Sequence, residues 1–122
     1  MQIGSLGRGV VVLVVAGIGV GCSGPDIRVI NESTYTVTDL QISSPSETQS
    51  YGTLAPGAAS EYLNFAEAYD RAAATFIVSN YRLEIPPPDW DTREELDGGD
   101  WTYHLNVVDL GQGLAEIHAT ED

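Results

Sequence analysis

Ala72-Ala73-Ala74-Thr75-Phe76-Ile77-Val78-Ser79-Asn80-Tyr81-Arg82-Leu83-Glu84-Ile85 reads as two strands joined by a tight turn. Ala72, Ala74, Phe76 and Val78 fall on one alternation, with Ala73, Thr75 and Ile77 on the other. Ser79-Asn80 is natural turn chemistry, and Tyr81, Leu83 and Ile85 then alternate with charge. Pro86-Pro87-Pro88 ends the pairing, because proline has no N–H to donate to a ladder. The hairpin therefore offers an apolar face that a second layer has to cover.

Upstream, three runs alternate in the same way. Ile27 to Asn31 is short and β-rich, and Asn31-Glu32-Ser33 is a polar turn. Thr34 to Ser43 carries Tyr35 and Val37 on one parity and Leu40 and Ile42 on the other, so a bulge is expected near Asp39. Gln49 to Leu54 and Ser60 to Phe65 read as strands on either side of the turn Ala55-Pro56-Gly57. Ala66 to Arg71 favours helix by composition but is too short to hold one alone. Downstream, Trp101, Tyr103, Leu105 and Val107 alternate with polar residues. Gly111-Gln112-Gly113 turns the chain, with Gly113 left-handed, and Leu114 to Thr120 returns with Ala115, Ile117 and Ala119 inward. Short strands at this spacing predict an all-β chain, a single small β-sandwich of about seven strands.

The N-terminus has a different character. Arg8 precedes the apolar run Val10 to Ile18, which is too short for a span of roughly 20 residues. Gly19-Val20-Gly21-Cys22 follows, ending in the protein's single cysteine. A charged start, an apolar middle, small residues and a cysteine form a lipoprotein export signal. Gly19 stands where a branched residue is usual. The expected organisation is a leader at 1–21, lipidated Cys22 with a short tether at 22–26, and the domain at 27–122. Acyl chains on Cys22 would be the membrane partner, and Ser23 resembles an outer-membrane sorting residue. The expected place is thus the outer membrane of the cell envelope, with the domain facing either the periplasm or the surface.

The full chain carries −13, with 18 acidic residues and no lysine. Removing Arg8 with the leader leaves −14 on the mature chain. Nucleic-acid partners are excluded, since they need a basic footprint. Dense carboxylates fit either simple solubility or a salt-rich habitat.

The segment from Pro86 to Asp100 contains Asp89, Asp91, Glu94, Glu95, Asp97 and Asp100. These are weak calcium candidates, because Arg93 and Glu94 break the spacing an EF-hand requires. No metal site is expected there, and no cofactor anywhere. Trp90 in this loop is either a stacking contact for a sugar or a partner, or a cover for one end of the sandwich. His104 and His118 take the outward positions of neighbouring strands, diagonal to one another, and with no free thiol they are too few for a zinc cage. No serine stands in a nucleophile-elbow context, so no catalytic residue is assigned and no enzyme is expected.

Tyr51-Gly52-Thr53-Leu54-Ala55-Pro56-Gly57, Ser60-Glu61-Tyr62, Phe65, Ala68-Tyr69 and Trp101-Thr102-Tyr103 together resemble a family of small uncharacterised lipoproteins of Bacteroidetes-type bacteria. The resemblance implies an immunoglobulin-like or transthyretin-like sandwich and no activity. The expected role is a non-catalytic envelope lipoprotein that binds a protein partner. The alternative is a carbohydrate- or calcium-binding module using the 86–100 loop. A small hydrolase is the third reading.

Overall fold

The computed structural model describes residues 24–122. The expected leader and Cys22 lie outside the described residues. Eight strands form two four-stranded sheets. In chain order they are β1 (Asp26–Asn31), β2 (Val37–Ser43), β3 (Thr48–Leu54), β4 (Leu63–Asn64), β5 (Ala73–Val78), β6 (Tyr81–Ile85), β7 (Asp100–Asp109) and β8 (Leu114–Glu121). The first sheet has the order β8-β7-β1-β4 and the second β3-β2-β5-β6. All neighbours are antiparallel except β1 and β7, which run parallel with Val29 opposite Tyr103.

The fold is thus the expected β-sandwich. Lettered in chain order, its sheets read H-G-A-D and C-B-E-F. A constant-type immunoglobulin sandwich has A-B-E-D against C-F-G. The strand order is therefore not that of a constant-type immunoglobulin sandwich.

The core follows the alternation. Ala74, Phe76 and Val78 on β5 face Ile27 and Val29 on β1, Tyr103 and Leu105 on β7, and Ile117 on β8, all essentially inaccessible to water. Burial of this apolar surface is the main stabilising term. Asp39 takes φ 52 at an irregularity in the β2 register, which is how Val37, Leu40 and Ile42 all reach the core despite their changed parity. The turn Ser79-Asn80 has φ 50 and 70, both left-handed as a two-residue type I′ hairpin requires. Gly113 has φ 67, as its place in the β7–β8 turn predicts.

One expectation is corrected. The run from Ser60 to Phe65 yields only the two-residue β4. The Ser60 side chain explains this, since its Oγ accepts the Val29 N–H (2.8 Å) that a strand carbonyl would otherwise take. The stretch Ala66 to Arg71, too short to hold a helix alone, is indeed not helical; bends carry Phe65 and Ala68 into the core. At the start of the described residues, Gly24 and Pro25 are hydrogen-bonded to the β4 segment. Their carbonyls accept from Asn64 Nδ2 (3.1 Å) and the Phe65 N–H (2.9 Å). A Cβ on Gly24 would lie 1.7 Å from the Phe65 carbonyl oxygen, so only glycine permits this approach.

Asn31 closes the end of β1 remote from Gly24. It is fully buried, and all its polar atoms are used. Nδ2 donates to the carbonyls of Tyr35 (2.7 Å) and Leu54 (3.0 Å), while Oδ1 accepts from the Ser33 N–H (3.0 Å) and hydroxyl (2.7 Å). One side chain thereby ties the exit of β1 to the start of β2 and the end of β3.

Candidate functional site

The parallel β1–β7 pair gives the sandwich a base and a top. Asp26 and Asp100 mark the base, where the chain enters, and Asn31 and Asp109 the top. Antiparallel pairing puts the turns Ser44–Glu47 and 86–100 at the base. It puts Tyr35, the Ser79-Asn80 turn and the β7–β8 turn at the top.

The acidic loop is strapped down at the base. Leu96 is its buried anchor, and the Leu96 N–H donates to Ala68 O (2.9 Å). The Asp70 carboxylate accepts the Glu94 N–H (3.1 Å) and lies 3.8 Å from Arg93 Nη1. Asp89 starts a short 3-10 turn over Trp90–Thr92, accepting the Asp91 N–H (3.2 Å). Asp89, Asp91, Glu94, Glu95, Asp97 and Asp100 are all exposed. Among the described residues no three acidic, histidine or cysteine side chains gather around one point. Trp90 is half-buried, its ring 5.3 Å from that of Tyr69, so it folds back onto the base.

On the outer face of the first sheet lies a polar array. Arg28 stacks over Tyr62 (5.4 Å) and donates from Nε to Thr102 Oγ1 (3.0 Å). The Thr102 hydroxyl donates to Asp122 Oδ1 (2.6 Å), and the Tyr62 hydroxyl donates to Asp122 Oδ2. These two bonds hold the Asp122 carboxyl below the usual carboxylate range, and the Tyr62 phenol is pushed up by the same contact. The array pins the C-terminal residue to the sheet. Above it, His104 and His118 stand directly opposite one another on β7 and β8, not diagonally. Their rings stack at 5.0 Å and 16°.

The top carries a feature the sequence did not disclose. Tyr35, Tyr81, Arg82, Leu83, Leu110 and two glycines line an open groove of about 510 Å³ between β6 and the β7–β8 turn. Tyr81 is 66% exposed, although its alternation matches that of buried Leu83. Position explains the difference: Tyr81 is the first residue of an edge strand, beyond the reach of the opposing sheet. Val108 and Leu114, also exposed, sit in the hairpin at the same end. The groove has one flanking cation, Arg82, 3.6 Å from Asp39. No helix among the described residues is long and apolar enough to cross a membrane.

Neither a protein-family model nor a curated protein matches the chain. Among solved structures, an NMR structure of a protein from Eubacterium rectale is similar, with a TM-score of 0.57 at 13% identity. It covers 82% of this chain and 91% of its own. At that identity the likeness shows the fold alone.

Proposed function

We propose that the chain is a non-catalytic, lipid-anchored envelope lipoprotein that binds a protein partner at the top of the sandwich. The observation that carries this reading is placement. The chain enters at the base through Gly24, and the exposed apolar groove lies at the opposite end. With acyl chains on Cys22 and only Ser23 before Gly24, the base faces the bilayer and the groove faces away from it. The partner is a segment with apolar side chains for Tyr35, Tyr81 and Leu110 and basic groups that suit a domain of strongly negative charge. Calcium or sugar binding by the 86–100 loop is less well supported, because the loop is at the base and its carboxylates diverge.

Two measurements test the proposal. The intact mass of membrane-extracted protein should begin at Cys22 with added acyl mass; an unmodified thiol would remove the anchor. A photocrosslinking residue at position 81 in native membranes should join one envelope protein, and Leu110→Asp should abolish the adduct. The same adduct from a crosslinker in the base loop would refute the groove as the docking surface.

A further inference from the structure

Glu32 leaves β1 at the top and reaches across to His104, placing Oε2 2.6 Å from Nδ1. A carboxylate can only accept, so the proton of the neutral imidazole sits on Nδ1 and the lone pair on Nε2. Nε2 accepts the hydroxyl of Thr120 (2.8 Å). This is the arrangement in which an outer carboxylate orients a metal-ligating histidine. Directly opposite stands His118, exposed on the edge strand β8 and therefore free to turn its ring. Glu116, the next outward residue on β8, adds negative charge beside the pair.

We propose that His104 and His118 form an open two-imidazole site for a divalent transition-metal ion, with Glu32 positioning His104 and water completing the coordination. Imidazole donors select zinc, nickel or copper over magnesium and calcium, which prefer oxygen. The rings are poised but not closed. Zinc–nitrogen bonds of 2.0–2.1 Å with tetrahedral angles need the two nitrogens about 3.3 Å apart. The near-parallel stack, with centroids 5.0 Å apart, is not that geometry, so binding requires His118 to rotate and the Thr120 hydroxyl to release Nε2. Thr120 is thus a competitor of the metal, while Glu32 is its ally. The site is independent of the groove and of Cys22.

Calorimetric titration of the full chain in neutral detergent with zinc chloride tests this, with excess magnesium present to occupy the diffuse carboxylates. One zinc per chain is expected. His118→Ala should weaken it at least tenfold, and Glu32→Gln by about tenfold. Thr120→Val should leave binding equal or tighter, a sign that loss of structure cannot mimic. Nickel should broaden the NMR signals of the His104 and His118 rings before any others. His118→Gln and metal-free melting temperatures guard against misfolding. Zinc binding unchanged in His118→Ala, or no zinc binding over the magnesium background, overturns the proposal.

Discussion

Asn31 is the residue whose removal should tell most about how the top of the sandwich is held. In Asn31→Ala the Leu54 carbonyl and the Ser33 N–H lose their buried partners. The Tyr35 carbonyl keeps the Ser33 hydroxyl at 3.2 Å and is only partly orphaned. Each buried group left unpaired costs about 1–3 kcal/mol, so the loss should be about 2–5 kcal/mol. In a domain of this size that lowers the melting temperature by roughly 10–25 °C. Asn31→Leu separates the causes, since it refills the space while orphaning the same groups. Ser33→Ala removes one donor to Oδ1 and should cost about 1 kcal/mol. Equilibrium urea unfolding followed by tryptophan fluorescence measures all three. If Asn31→Leu falls within about 1 kcal/mol of the parent, the hydrogen bonds are not what holds this end, and the reasoning fails.

Phe76 is fully buried at the centre of β5, so Phe76→Ala should cost about 3–5 kcal/mol by the same assay. Burial raises the phenols of Tyr51 and Tyr103 well above their ordinary value of 10.0. Their contribution is therefore complete below the unfolded value and lost as pH rises past it, so melting temperature should fall steeply above pH about 10. Tyr103→Phe should flatten that fall while sacrificing the bond to Tyr69 O (2.7 Å). Mutual repulsion of the carboxylates, most of them at the base, is screened as the Debye length drops from about 30 Å at 0.01 M salt to about 3 Å at 1 M. Melting temperature should accordingly rise with sodium chloride and equally with calcium chloride at matched ionic strength. A jump with millimolar calcium alone would contradict the divergent placement of the loop carboxylates.

Much of the fold was legible one strand at a time. The alternation around Phe76, the parity change at Asp39, the Ser79-Asn80 turn and left-handed Gly113 are local features, and each was readable because side-chain period and allowed φ are properties of a few neighbouring residues. The partnership of strands was not local. Nothing in the residues of β1 announces that it runs parallel to β7, some seventy positions away. That pairing decides which end is the base, and so where the groove lies relative to the point of entry. The sequence alone determined an acidic all-β chain with an outward pair of histidines. Tertiary structure decided that those histidines face one another with Glu32 behind them. It likewise left Tyr81 bare at an edge and swung Trp90 back onto Tyr69. Burial and proximity depend on what the opposing sheet brings, and that is settled only when the two layers close.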